Sequence, residues 1–174
     1  PLTYKDLIKK TDTIQKYISE RSLVFLISKN TVAPLICYIA SIRNNYVVML
    51  VDVKTSTTDI LNLVETYKPS FLVAPIDWLK NSKTDGLEVL ENIYDYSVCR
   101  TSYQKFPKMN SDLNVLLPTS GSMGSPKYVR LSHQNLKANA DSIINFLKIE
   151  SKDRAVTTMP YSYSFMLSII NTHI

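Results

Sequence analysis

The sequence predicts an α/β fold in which helices cover both faces of a mostly parallel sheet, giving three layers. Short continuous apolar runs alternate with segments of helical periodicity over residues 1–75. Such runs are typical of parallel strands, which are buried on both faces by the helices that connect them. Hydrophobic residues make up 45% of the 174 residues and charged residues 20%, which is enough apolar material for a core.

The first part of the chain predicts helices and strands in regular alternation. Thr31 can cap one helix, and Ser56 with Asp59 has the spacing of a capping box. Pro69 ends the helix that follows Ser56. In chain order, we predict a helix over residues 2–18, a strand over 22–28, a helix over 30–42, a strand over 46–52, a helix over 56–68 and a strand over 71–75.

After Pro75 the alternation ends and strands dominate the prediction. Residues 81–86 contain Asp85-Gly86 and predict a turn. Ser132 can cap a long amphipathic helix whose apolar side chains recur at helical spacing. We predict strands over residues 87–94, 96–103, 113–118, 127–132 and 155–160, a helix over 132–149 and an apolar, helix-like segment over 161–174.

Composition argues against several classes of protein. The net charge is +5, but the basic residues are dispersed, so a nucleic-acid-binding domain is only weakly supported and we expect no nucleic-acid partner. The longest apolar run, Val32–Ile42, is about half the length of a membrane span and contains Pro34. Cys37 and Cys99 lie in apolar stretches without metal-ligand spacing, which is typical of buried thiols in a reducing compartment. We therefore expect a cytoplasmic protein without a membrane span.

The stretch LLPTSGSMGSPKYVRLSHQNL, residues 116–136, contains two of the three glycines, Gly121 and Gly124. Small residues, hydroxyls and a lysine after a strand suit a phosphate-binding loop, since backbone N–H groups can approach an anion there. A Walker A loop is excluded because Pro126 holds its second-glycine position, and a dinucleotide fingerprint because of Met123. A nucleophile elbow also lacks its last glycine. From the residues alone, a phosphate loop and an ordinary surface loop are equal alternatives.

The same stretch resembles the signature loop of the AMP-forming acyl-adenylating superfamily, which includes acyl-CoA synthetases, adenylation domains of nonribosomal peptide synthetases and luciferase. That signature is a strand, a hydroxyl- and glycine-rich loop ending in Pro-Lys, a short strand and then Ser-His-x-Asn-Leu opening a helix. Residues 23–52 and 153–170 are also similar to motifs of that superfamily. The matching loop positions are Thr119, Ser120, Gly121, Ser122, Gly124, Pro126, Lys127, Val129, Ser132, His133, Asn135 and Leu136.

The resemblance implies that residues 1–174 are an incomplete portion of the large N-terminal domain of an AMP-binding synthetase, with its C-terminal domain absent. It implies an ATP-dependent, AMP-forming ligase that activates a carboxylic or fatty acid as an acyl-adenylate. The acyl group would then pass to the thiol of CoA or of a phosphopantetheine carrier, so an acyl carrier protein is a candidate partner. We expect the Mg ligand and the catalytic residues outside this fragment. The fragment alone is therefore expected to be inactive and to self-associate through its truncated core.

The resemblance also assigns candidate site residues. The ATP phosphates would be contacted by Thr119, Ser120, Gly121, Ser122, Met123, Gly124 and Lys127. Three aromatic residues either line the substrate pocket or belong to the core, namely Tyr161, Tyr163 and Phe165. We expect a structural role for His133, at the start of a helix. Met123 and Tyr128 replace a hydroxyl residue and a glycine of the usual loop. They motivate an alternative, a noncatalytic binding module with a degenerate phosphate loop.

Overall fold

The strands formed by the described residues belong to one sheet. The computed structural model describes residues 2–18, 20–82, 84, 86–103, 108–119 and 127–174. Within these residues the strands are β1 (Leu23–Ser28), β2 (Val47–Asp52), β3 (Phe71–Pro75), β4 (Glu88–Ile93), β5 (Tyr96–Arg100), β6 (Leu113–Pro118) and β7 (Tyr128–Ser132). The helices are α1 (Tyr4–Gln15), α2 (Val32–Arg43), α3 (Thr57–Tyr67), α4 (Ile76–Asn81), α5 (His133–Leu147) and α6 (Ser164–Thr172).

The centre of the sheet is parallel and its margins are antiparallel. The strand order is β4-β5-β3-β1-β2-β6-β7. β1 lies parallel to both β2 and β3, and β2 lies parallel to β6. The outer strands β5, β4 and β7 join by antiparallel pairing. The carboxyl ends of β3, β1, β2 and β6 therefore meet at one edge of the sheet.

Helices cover both faces of the sheet, as the sequence predicts. Successive residues of a strand point to opposite faces. Leu26 of β1 therefore packs with α1, α2 and α6, whereas Phe25 packs with α3 and α4. The first layer, formed by α1, α2 and α6, completely buries Ile36 and Met166. The second layer, formed by α3 and α4, completely buries Ile60. Burial of each of these side chains contributes about 1.5–3 kcal/mol to the free energy that holds the helices against the sheet.

Capping explains where several of the helices begin and end. The Ser56 side chain accepts a hydrogen bond from the Asp59 amide at 3.1 Å, as the capping-box spacing predicts. The Ser132 hydroxyl similarly accepts from the Asn135 amide and starts α5. α3 and α5 end at Lys68 and Lys148, which adopt left-handed backbone conformations with φ of 49° and 53°. Thr31 occupies the N-cap of α2, but its side chain makes no capping hydrogen bond.

Two segments depart from the sequence prediction. The strand predicted over residues 155–160 is wrong: that stretch has no regular secondary structure, is largely exposed, with Val156 74% exposed, and does not join the sheet. An apolar run forms a strand only where a neighbouring strand can satisfy its backbone. The helix α4 was not predicted, and its Trp78 and Leu79 pack against the second layer. Among the helices formed by the described residues, none has the length and apolar character needed to span a bilayer.

Candidate functional site

A cavity of about 760 Å³ opens at the carboxyl ends of the adjacent parallel strands β2 and β6. In open α/β sheets this edge is where ligands bind, because loops rather than strands follow the parallel ends there. β2, β6, β7 and the start of α6 supply most of the walls. The described lining residues are Val51, Asp52, Thr55, Leu63, Leu117, Pro118, Thr119, Tyr128, Val129, Leu131, Ser162, Tyr163 and Ser164.

Thr119 and Lys127 close the base of the predicted phosphate loop beside this cavity. The Thr119 amide donates to the Lys127 carbonyl at 2.9 Å, and the Thr119 hydroxyl donates to the same oxygen at 3.2 Å. Lys127 is exposed. Five of the predicted phosphate contacts lie outside the described residues, namely Ser120, Gly121, Ser122, Met123 and Gly124. The contacts of those five residues with phosphate stay a prediction.

Tyr128, the residue after Lys127, forms part of the cavity wall and also packs into the fold. Its ring meets the ring of Tyr67, at the end of α3, edge to face with 5.8 Å between centroids. Burial and the neighbouring Tyr67 raise the pKa of Tyr128 to about 12. Tyr67 in turn lies 6.1 Å from Phe25 of β1, centroid to centroid. The start of β7 is thus connected to the centre of the sheet by three aromatic rings.

Asp52 links the end of β2 to the start of α6. One carboxylate oxygen accepts a hydrogen bond from the Lys54 amide at 2.8 Å, which forms a tight turn after the strand. The other lies 3.5 Å from the hydroxyl of Ser162, which is buried. Asp52 is the one charged side chain among the lining residues that the structure describes. The floor of the cavity therefore combines this carboxylate and hydroxyls with apolar walls.

The three predicted pocket aromatics lie in three different environments. Tyr161 is only 4% exposed and donates from its hydroxyl to the Thr31 carbonyl at 3.1 Å, so its ring lies in the core. Burial raises the pKa of this tyrosine. Tyr163 is half exposed and lines the large cavity. Phe165 instead lines a separate cavity of about 440 Å³ between β6, α5 and α6. The structure therefore brings only Tyr163 together with Thr119 at the large cavity.

Two further predictions concern histidine and metal. His133 is the first residue of α5 and is exposed on that helix, away from the large cavity lining. Within the described part of the chain, no three His, Cys, Asp or Glu side chains converge in a way that could hold a metal ion. The polar side chains in the described lining of the large cavity are hydroxyls and one carboxylate, that of Asp52.

Some lining residues were outside the predicted site. Thr55 follows β2 and Ser164 opens α6, and both face the large cavity. Thr55 is a polar residue shortly after a buried strand, and Ser164 is a polar residue at the start of an apolar helix. These positions could have identified both residues as candidates for the site. Leu63 of α3 gave no such signal, because its spacing is that of any core residue.

Comparison with known proteins connects this geometry to one family. The sequence model of the AMP-binding enzyme family matches residues 2–174. Among curated proteins, the D-alanine–D-alanyl carrier protein ligases of Streptococcus pyogenes strains Manfredo and NZ131 are each 25% identical to this chain. Each match covers 97% of this chain and 34% of the relative. The chain thus spans about a third of the length of those ligases.

Solved structures share the fold. ATP-bound MatB from Rhodopseudomonas palustris superposes with a TM-score of 0.78 at 15% identity, covering 98% of this chain and 38% of MatB. O-succinylbenzoate coenzyme A synthetase (MenE) from Bacillus subtilis, in complex with AMP, gives a TM-score of 0.71 at 19% identity. That match covers 98% of this chain and 46% of MenE. At these identities the likeness establishes the fold alone.

Proposed function

Because this chain belongs to the AMP-binding enzyme family, we propose that it is part of the large domain of an ATP-dependent, AMP-forming carboxylate ligase. In the proposed reaction a carboxylate oxygen of the acid attacks the α-phosphorus of ATP. The bond from that phosphorus to the bridging oxygen breaks, and pyrophosphate leaves. A thiol then attacks the acyl carbon of the acyl-adenylate and AMP leaves. The observation that carries the proposal is the loop base formed by Thr119 and Lys127, of which Thr119 lines the cavity.

The proposed role of the loop is electrostatic. Negative charge moves onto the leaving pyrophosphate during adenylation, and fixed donors that face this charge lower the barrier. In the proposed site, the exposed Lys127 ammonium supplies a positive charge and three donors at the base of the loop. The Thr119 hydroxyl and amide already donate to the Lys127 carbonyl. Thr119 therefore fixes the loop base, and we propose that the exposed Lys127 ammonium donates to phosphate oxygens.

The names of the relatives support a refinement of the proposed acceptor. The streptococcal relatives are named as ligases that join D-alanine to a carrier protein, and MenE is named as a coenzyme A synthetase. We propose a small carboxylic acid as substrate, with the thiol of CoA or of a phosphopantetheine carrier protein as acceptor. Mg would accompany ATP, with its ligand supplied from outside the 174 residues. By themselves these residues are then expected to show no activity.

Acid-dependent exchange of labelled pyrophosphate into ATP tests the proposal on the full-length protein. The panel contains D-alanine, other small amino acids, short aliphatic acids and aryl acids. We expect exchange with at least one acid. If no acid supports exchange but ATP and AMP still bind in calorimetry, a noncatalytic nucleotide-binding module replaces the enzyme proposal.

Lys127→Ala provides the test of the site itself. Losing a charged donor to the leaving pyrophosphate is expected to lower the exchange rate by about 10- to 100-fold. Lys108→Ala is the matched control, because Lys108 is also exposed but precedes the amino end of β6, at the opposite edge of the sheet. Equal rates for the Lys127→Ala variant and the wild type would refute the assignment of this loop.

A further inference from the structure

Apart from its backbone ladder with β6, the start of β7 is held against the core by one side chain, that of Tyr128. β7 is an edge strand that pairs only with β6 in the described structure. Val129 is 45% exposed and Arg130 is also exposed. Tyr128, in contrast, is half buried and packs with the layer formed by α3 and the sheet. The first residues of β7, directly after Lys127, therefore depend on this ring for their apolar contact with that layer.

The ring of Tyr128 is placed by a partner that is itself fixed. Tyr67 contacts Tyr128 at an interplanar angle of 73°, the edge-to-face geometry that aromatic pairs favour. Tyr67 is the last residue of α3, and its ring packs against the ring of Phe25, which is fully buried in β1. Motion of the Tyr128 ring is therefore limited by the centre of the sheet. Because the ring and the Lys127 peptide are adjacent in sequence, this limit extends to the Lys127 carbonyl.

We propose that Tyr128 is a positioning residue for phosphate binding. Its ring, held against Tyr67, fixes the Lys127 carbonyl that accepts both Thr119 hydrogen bonds and so keeps the loop base closed. This inference rests on the proposed function, since the loop it positions is the proposed phosphate site. Loss of the ring leaves the Lys127 donor in place but lets its backbone move. The expected consequence is weaker ATP binding, with the acid site affected much less.

The test measures apparent KM values for ATP and for the acid in the exchange reaction of the full-length protein. Tyr128→Ala is expected to raise the KM for ATP by about three- to tenfold, the range that an aromatic pair supplies. The KM for the acid is expected to stay within about twofold of wild type. Tyr128→Phe keeps the ring and is expected to restore the wild-type KM for ATP. Tyr67→Leu removes the same contact from the other side and is expected to reproduce the effect of Tyr128→Ala.

Phe25→Leu separates positioning from general stability. Phe25 belongs to the same aromatic series but lies one ring further from the loop. This variant is expected to lower the melting temperature and to raise the KM for ATP less than Tyr67→Leu does, since the Tyr67–Tyr128 contact itself is kept. An unchanged KM for ATP in both Tyr128→Ala and Tyr67→Leu would overturn the inference while leaving the proposed function intact. An equal rise in Phe25→Leu would also overturn it. A wild-type protein without any acid-dependent exchange would remove the proposed function and this inference with it.

Discussion

Replacing Arg21 by methionine is expected to loosen the amino ends of β2 and β6, the two strands whose opposite ends form the cavity. One guanidinium nitrogen donates to the carbonyl and side-chain oxygens of Asn45 at 2.6 and 2.7 Å. The other donates to the carbonyls of Asn110 and Leu113 at 2.8 and 2.5 Å. Asn45 has a left-handed backbone with φ of 57°, so this corner depends on its hydrogen bonds. Arg21 therefore joins three segments that are far apart in sequence.

The magnitude follows from how exposed these bonds are. The bond to Leu113 is partly buried, and the other three are exposed, where water can replace the arginine. A bond from a charged donor contributes about 1.5–3 kcal/mol, and exposed ones contribute much less. We therefore expect Arg21→Met to lower the local free energy of opening by about 2–3 kcal/mol. Arg21→Lys should recover only part of this, because a single ammonium cannot span both pairs of oxygens.

Native-state hydrogen exchange, followed by mass spectrometry on the full-length protein, measures this local free energy. The peptides that carry β2 and β6 are expected to exchange faster in Arg21→Met, while those of α5, which Arg21 does not touch, are not. Arg154→Met is the matched control, since Arg154 is exposed and, among the described residues, donates only to the nearby carbonyls of residues 151–153. A loss below about 0.5 kcal/mol in the β2 and β6 peptides, or an equal loss in the control, would refute the reasoning.

Two other predictions use groups away from the cavity. Burial raises the pKa of Cys37 to about 12 and of Cys99 to about 11, so both stay thiols near pH 8. A thiol reagent is thus expected to label the folded protein slowly and the urea-unfolded protein rapidly, and fast stoichiometric labelling of the folded protein would contradict this burial. Because His133 lies outside the cavity lining, His133→Gln is expected to leave the pH profile of pyrophosphate exchange unchanged between about pH 6 and 8. Loss of one limb of that profile would assign His133 a chemical role.

Local signals account for most of the fold that the sequence predicts. α3 carries its capping pair, Ser56 and Asp59, and an apolar face at helical spacing, so its start is encoded nearby. β1 and β2 are continuous apolar runs, as parallel strands buried on both faces should be. The sequence did not predict α4, because its six residues are too few to show a helical period. The pairing of β5 antiparallel to β3 depends on the whole sheet rather than on either strand.

The candidate site divides in the same way. The loop from Thr119 to Lys127 could be proposed as a phosphate site because its residue types lie together in the sequence. The contact of Asp52 with Ser162 joins residues 110 positions apart, and no local pattern encodes it. The pairing of Tyr128 with Tyr67 is likewise a product of folding. The sequence could not predict that Tyr161 is buried and Tyr163 is half exposed. Burial of residues near the start of a helix depends on which other parts of the fold pack against them.

The central claim is that the loop closed by Thr119 and Lys127 binds the phosphates of ATP. A crystal structure of the full-length protein with a nonhydrolysable ATP analogue, Mg and the preferred acid tests it most directly. We expect the β- and γ-phosphates at this loop, with the Lys127 ammonium within hydrogen-bond distance of a phosphate oxygen. Phosphates bound elsewhere, with Lys127 still in solvent, would contradict it.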